Sequence, residues 1–418
     1  MPTFALVDGN SFYCSCERAF DPRLRGKPVV VLSNNDGCVI ARTAEAKAVG
    51  IGMGDPWHLI KDRPALRDVI WFSSNYALYA DMSRRMFEVL NSFSPDVEPY
   101  SIDEMFMLLD GLPDRNGIGS RIREAVLGSA KIPTCVGIGP TKTIAKLANR
   151  IAKKTPGLEG VCDLSDVDVR RDVYRTFPVA DVWGVGPSSV RKLARHGVET
   201  VAQFLELPAF VVRKELSVTG ARIHQELTGI SCLPLSDLPS TRKGLAVTRS
   251  FGQPVATRQA LTEAVAAFAD RASEKLRQGD LVAGHLTVFI RTSDFKPGPR
   301  YSNLASMTIE RTSDSLALVS LASRAAARLW RDGYAYAKAG VMLTDLSPRQ
   351  QAPADLFPSR EPSKVAKLME AIDRVNAVHG RGALRPALVG FRDKWKPRQG
   401  NLSNRFTTDL RELMEVVA

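Results

Sequence analysis

No stretch of the 418 residues approaches about 18 consecutive apolar side chains, so no membrane-spanning helix is expected. The N-terminus lacks a basic segment, and its apolar run Phe4-Ala5-Leu6-Val7 stops at Asp8, so this segment is not expected to be a secretory signal peptide. Cysteines number only six (14, 16, 38, 135, 162, 232) and are scattered. Cys14-Ser15-Cys16 has the wrong spacing for a zinc knuckle, so the thiols read as reduced and partly buried, in a cytoplasmic protein. The five histidines (58, 196, 224, 285, 379) show no metal-ligand spacing. No strict internal repeat is present. A hydrophobic content of 44% and a charged content of 24% exclude disordered and fibrous classes.

What is present is length and an uneven charge. At roughly 100–200 residues per domain the chain holds two to four units. Residues 1–241 carry 29 basic and 28 acidic groups, whereas residues 242–418 carry 28 basic and 17 acidic ones. A nearly neutral front and a basic back suit chemistry first and a grip on a polyanion second.

Thr3–Val7 reads as a short apolar strand ending at Asp8, and Pro28–Leu32 as a buried strand closed by a turn. The segment from 13 to about 70, rich in small residues, reads as a compact insertion rather than a second core. Residues 97–110 read as a hairpin or strand junction carrying the acidic pair Asp103-Glu104. Thr134–Ile138 is a strand, followed by a helix over 141–153. One face of that helix is apolar (Ile144, Leu147, Ala148, Ile151) and another basic (Lys142, Lys146, Arg150, Lys153). Residues 167–232 are mostly helical, and 233–241 form a linker. Beyond it, strands near 246–251, 285–290 and 339–343 and helices near 259–278 and 315–331 make a small α/β unit. From Ser347 onward the composition turns to Gln, Pro, Arg and Gly, with one helix near 363–378, and reads as a tail. The fold class is α/β and α+β, multidomain.

Asp8 at a strand end and Asp103-Glu104 at a strand junction are the informative acids. Two Mg²⁺ ions about 3.5–4 Å apart need such shared carboxylates. Solvated turn carboxylates are the alternative, but apolar strands on either side mean the charges need partners. The run Gly137–Thr143 lacks the spacing of a Walker loop, which excludes that type of ATPase.

The segment Asp8-Gly9-Asn10-Ser11-Phe12-Tyr13-Cys14-Ser15-Cys16-Glu17 resembles the opening motif of the Y-family (translesion) DNA polymerases. The segments Gly26–Arg42, Phe72–Tyr76 and Tyr100-Ser101-Ile102-Asp103-Glu104 resemble their UmuC branch. So do Gly139–Asn149, Val182-Trp183-Gly184-Val185-Gly186 and Ser250-Phe251-Gly252. The likeness runs in order along nearly the whole chain.

This resemblance implies a right-hand polymerase: palm over 1–12 and 71–166, small fingers over 13–70, helical thumb over 167–232. An α/β little finger over 242–346 and a C-terminal interaction tail over 347–418 complete it. The implied activity is template-directed, error-prone translesion synthesis in the bacterial SOS response to DNA damage. The catalytic residues would be Asp8, Asp103 and Glu104, holding two Mg²⁺ ions with the Gly9 carbonyl as a further ligand. Phe12 and Tyr13 would meet the incoming nucleotide. Tyr13 would be the steric gate, since a ring against the sugar leaves no room for a 2′-OH. Lys153 and Lys47 would take the triphosphate as compact point charges. Many relatives carry Arg where this chain has Lys47, and a Tyr where it has Ala44.

Gly184 and Gly186 would form the hairpin of a backbone-reading helix-hairpin-helix, with Arg191 and Lys192 beside it. Arg242, Lys243 and Arg249 would grip duplex DNA. Leu356 and Phe357 would end a sliding-clamp-binding peptide, though Pro353 stands where relatives carry Gln. Implied partners are primer-template DNA, dNTPs, a processed UmuD dimer, the RecA filament and the sliding clamp. Two rivals are a polymerase-like scaffold that recruits factors without catalysis and a palm-fold cyclase. The three retained acids disfavour the first; the thumb-like hairpin and the basic back half disfavour the second.

Overall fold

The computed structural model describes residues 2–235, 242–295, 297–351, 362–390, 395 and 398–412. These fall into two compact units, one of residues 1–33, 37–239 and 401–418, the other of 34–36 and 240–400.

In the first unit β1 (Phe4–Gly9) leads into α1 (Phe12–Phe20). Next come β2 (Val29–Leu32), β3 (Val39–Arg42), α2 (Ala44–Ala48), α3 (Trp57–Ile60), β4 (Ile70–Ser73) and the long α4 (Tyr76–Asn91). Strands β5 (Val97–Pro99) and β6 (Glu104–Leu108) form a hairpin, followed by α5 (Arg115–Ala130), β7 (Thr134–Gly139), α6 (Lys142–Lys154) and β8 (Val161–Asp163). The helices α7 (Val167–Thr176), α8 (Pro187–Ala194), α9 (Val201–Glu206) and α10 (Ala209–Leu227) follow.

The main sheet has the order β5-β6-β1-β7-β8. Its central strand β1 is buried along its whole length, which explains an unbroken apolar run rather than an alternating one. β1 runs antiparallel to both β6 and β7, and Asp8 is paired with Glu104 on one side and Cys135 on the other. α6 lies directly on β7 because residue 137 is glycine: a Cβ there would sit 2.1 Å from the Asn149 backbone nitrogen. The Asn149 amide, itself buried, donates to the carbonyls of Cys135 (2.8 Å) and Leu6 (3.3 Å) and ties the helix to the sheet.

Residues 29–73 differ from the expectation of an insertion without a core. The small sheet β3-β2-β4 packs Val30, Leu32 and Val39 against Ile51, Trp57 and Ile60. Those large residues are few and spaced among alanines and glycines, which hides the core in the composition. All six cysteines are free, and four are buried.

The second unit runs β9 (Gly244–Val255), α11 (Arg258–Gln278), β10 (Leu281–Thr292), β11 (Ser302–Thr312), α12 (Ser315–Leu329) and β12 (Tyr336–Pro348). It is a four-stranded antiparallel sheet of order β11-β10-β12-β9, with both helices in its core. The sequence reading does not name β11. That strand is an edge whose inward residues are only half buried, so its alternation is weak. The described part beyond Ser347 is not a loose tail either. α13 (Pro362–His379) buries Met369 and Ile372, its Asp373 takes a two-pronged ion pair from Arg277 at 2.7 Å, and Val389 joins the core of this unit. The proposed clamp-binding residues Leu356 and Phe357 lie outside the described residues. Among the described residues no helix is long and apolar enough to cross a membrane.

Candidate active site

Residues directly opposite on an antiparallel pair present their side chains to the same face, and like charges there repel. Asp8 and Glu104 are such a pair, with Asp103 next in the turn. The repulsion is offset by α6. Lys153 reaches Asp8 at 2.5 Å, and Lys146 reaches both oxygens of Glu104 at 3.0 Å. The Lys146 ammonium also lies over the rings of Tyr100 (4.3 Å) and Trp183 (5.1 Å), two cation–π contacts that help hold it in place. Lys142 pairs with Glu98 at 2.6 Å, while Arg150 and Lys154 both pair with Asp181. The basic stripe read from the sequence is therefore not a solvated face; each of its members meets an acid.

Burial pushes the Asp8 carboxyl up to about 6. Lys153 pulls it down, and the charges of Glu104 and Asp103 push it up further. Asp103 is fixed by its own turn. The Ser101 hydroxyl donates to Asp103 Oδ1 (2.6 Å) and accepts the backbone N–H groups of Asp103 and Glu104. The Gly9 N–H donates to the Asp103 carbonyl at 2.8 Å, so the turn is docked on the end of β1.

One cleft of about 660 Å³ collects these groups. Asp8, Gly9, Phe12, Tyr13, Lys47, Asp103, Glu104 and Lys153 all line it, and these are the residues assigned to metal and nucleotide by resemblance. The ring of Tyr13 stacks on Tyr79 of α4, 4.5 Å between centroids and 19° between planes. Arg42, Ser101 and Met53 also line the cleft without having been given a role from the sequence. Arg42 and Ser101 stand inside the quoted motifs, which was the available signal. Lys146 stands in the basic stripe and inside the quoted motif Gly139–Asn149, again without a role of its own.

The donors fit a hard divalent cation. They are carboxylate oxygens, two of them balanced by ammonium groups that an ion of higher charge can replace. Among the described residues no three acidic, histidine or cysteine side chains are already drawn into a cage. Each acid is turned instead to its own lysine or serine.

The candidate DNA-binding residues lie elsewhere. Gly184 has φ +84°, and a Cβ on it would meet Ile223 at 2.6 Å, so the turn before α8 requires glycine. Gly186 caps α8, whose Arg191 is exposed and whose Lys192 donates to the Glu215 carbonyl (2.6 Å). In the second unit Arg242, Lys243 and Arg249 are exposed, with Arg249 on β9. Burial holds the Lys275 ammonium below its ordinary value, and then the charges of Arg271, Arg249, Arg242 and Arg381 lower it further. That unit gathers cations.

Comparison with known proteins agrees with this layout. Residues 7–150 match the impB/mucB/samB family and residues 242–356 that family's C-terminal domain. Residues 366–416 match a domain of unknown function (DUF4113). The chain is 42% identical to Protein UmuC of Salmonella typhimurium, covering 99% of this chain and 100% of that one. It is 40% identical to Protein MucB of Escherichia coli, covering 98% of each. With DNA polymerase IV of Moorella thermoacetica it shares 27% identity, over 92% of this chain and 95% of that one. A solved Y-family DNA polymerase chimera (Dbh-Dpo4-Dbh) has the same fold, with a TM-score of 0.66 at 19% identity, over 82% of this chain and 98% of that one. Full-length similarity of this order, joined to strand-end acids gathered in one cleft, establishes that the chain belongs to the impB/mucB/samB family, the UmuC-type branch of the Y-family polymerases.

Proposed function

We propose that this chain is a template-directed DNA polymerase that carries out error-prone synthesis across damaged template bases in a bacterial SOS response. The observation that carries the reading is the single cleft holding Asp8, Asp103 and Glu104 together with Tyr13 and Lys153. Membership of the family and the polymerase fold support it.

Asp8, Asp103 and Glu104, with the Gly9 carbonyl, would hold two Mg²⁺ ions. When bound, such ions acidify the attacking primer hydroxyl and neutralise charge on the leaving pyrophosphate. The rest falls to the chain's own side chains. Lys153 shares the cleft with Asp8, so its ammonium can exchange that carboxylate for a phosphate of the incoming triphosphate. Lys47, exposed at the same cleft, adds a second positive charge. Lys146 stays on Glu104 and sets its orientation. Tyr13, backed by Tyr79, closes the space a 2′-OH needs.

We assign the five-stranded sheet with α4 to α6 to the palm (1–12 and 71–166), and residues 13–70 to the fingers. Residues 167–232 are the thumb, 233–241 a linker, 242–346 the little finger and 347–418 an interaction region. DNA and dNTPs are the substrates. Gly184, Gly186, Arg191, Lys192, Arg242, Lys243 and Arg249 would contact the DNA backbone. A processed UmuD dimer, the RecA filament and the sliding clamp are the proposed partners, the last through Leu356 and Phe357. The three acids retained in one cleft disfavour the scaffold alternative. Extension of a primer past an abasic template site, by wild type and by Asp103→Ala, tests the reading. Extension by the wild type and none by the variant is expected; equal extension by both would favour a scaffold.

A further inference from the structure

The first unit includes a segment from the far end of the chain, inside the stretch that matches the domain of unknown function. Asn401 pairs with the edge strand β4: the Ser73 N–H donates to its carbonyl (2.8 Å), and its own N–H donates to Ser73 Oγ (3.1 Å). Asn75, the cap of α4, donates its amide to Ser403 Oγ (3.0 Å) and to the carbonyls of Ser403 (3.3 Å) and Asn404 (3.1 Å). The Thr407 hydroxyl donates to Asp81 of α4 at 2.9 Å. Phe406 stacks on Phe20 at the end of α1, 4.4 Å between centroids and 6° from parallel.

These contacts straddle the two helices that hold Tyr13. α1 carries Tyr13, Glu17 and Phe20 at positions i, i+4 and i+7, which is one helix face. α4 carries Tyr79, the stacking partner of Tyr13. The two helices are joined through Glu17, only 2% exposed, whose Oε1 accepts the Tyr79 hydroxyl (2.7 Å) and the Ser403 hydroxyl (3.0 Å). A buried carboxylate with few donors depends strongly on each of them. Without Ser403, Glu17 must move or admit water, and Tyr79 and the turn bearing Tyr13 move with it.

We propose that the segment from Asn401 to Thr407 is a positioning element for sugar selection, holding Glu17 and Tyr79 from behind so that the Tyr13 ring stays fixed against the sugar of the incoming nucleotide. The inference rests on the reading of Tyr13 as the gate. It gives a stretch of the domain of unknown function a task in nucleotide choice. Ser403 touches no substrate and acts only through Glu17, Tyr79 and Tyr13.

The test uses the full chain and single-nucleotide primer extension, comparing kcat/KM for a matched dNTP with that for its rNTP. Ser403→Ala is expected to lower the preference for deoxyribose about fivefold or more, with dNTP insertion kept within about threefold. Ser403→Thr, which retains the hydroxyl, should keep the wild-type preference. In a Tyr13→Ala background Ser403→Ala should change the preference no further. Phe406→Leu, a milder loosening of the same segment, should move the preference in the same direction and serves if Ser403→Ala does not fold. An unchanged preference in both tail variants, or equal losses with both sugars, overturns the proposal. If Tyr13→Ala changes the preference and the tail variants do not, the positioning role alone fails. If Tyr13→Ala leaves it unchanged, the gate reading fails and takes this inference with it.

Discussion

On α6 all five basic side chains meet a carboxylate; in the second unit the basic side chains around Lys275 crowd one another. The same residue types therefore serve two ends, decided by where the counter-charge comes from. Lys153 and Lys146 of α6 balance acids that the fold has set side by side on β1 and β6, and they orient those acids. In the second unit Arg271 and Arg381 share Glu274 and Arg277 takes Asp373, whereas Arg242, Lys243 and Arg249 present exposed charge, which suits a DNA backbone. Net charge alone would have assigned both sets to nucleic acid.

Removing one α6 lysine is the strongest way to break this comparison. Lys153→Ala should lower kcat/KM for dNTP insertion about a hundredfold, because Asp8 loses its partner and the triphosphate loses a cation. Steady-state kinetics with saturating primer-template checks this; a loss under threefold contradicts the role. Lys146→Ala should lower kcat about tenfold with little change in KM, since Lys146 orients Glu104 and stays off the triphosphate. In the second unit the readout is salt. The combined variant Arg242→Ala, Lys243→Ala, Arg249→Ala should reduce the slope of log K against log salt for duplex binding by about 2–3. Lys146→Ala should leave that slope unchanged. Equal slopes in wild type and the combined variant would remove these three residues from the DNA contact.

A smaller effect comes from Glu17, a buried acid with hydroxyl donors in place of a cation. Burial pushes its carboxyl up to about 7 from 4.5, against the hydrogen bonds of Tyr79 and Ser403, which lower it. The folded form thus holds this proton more tightly than the unfolded one. The stability it contributes is fully present below about pH 4.5 and is lost as pH rises through about 7. Glu17→Gln keeps an acceptor without the charge. It should raise the melting temperature by about 2 °C or more at pH 8 relative to wild type, with a smaller difference at pH 5. A difference independent of pH contradicts the buried-acid account.

The parts of the fold that could be read from the sequence share one feature, a sharp change of polarity at an element's end. Asp8 closes an apolar run, Asp103 and Glu104 interrupt another, and α6 shows two faces at once. What was hidden has physical reasons as well. A helical stripe fixes which residues share a face, but not that Lys146 and Lys153 turn toward β6 and β1. β11 has a weak alternation because its inner face is half buried. The core beneath β2 to β4 is built of few large residues. The link from Ser403 to Glu17 joins two short polar side chains 386 positions apart, and no local pattern announces it. The composition beyond Ser347 suggests a tail because its anchors are single residues, such as Asp373 on Arg277 and Phe406 on Phe20.

The central claim is that Asp8, Asp103 and Glu104 act as one unit. Single-turnover primer extension with Asp8→Asn, Asp103→Asn, Glu104→Gln and the triple variant measures this directly. Groups that act together are not additive, so at least Asp8→Asn and Asp103→Asn should each lose nearly as much rate as the triple variant, about a thousandfold or more. A single variant at either aspartate that keeps its rate within threefold of wild type would contradict the account.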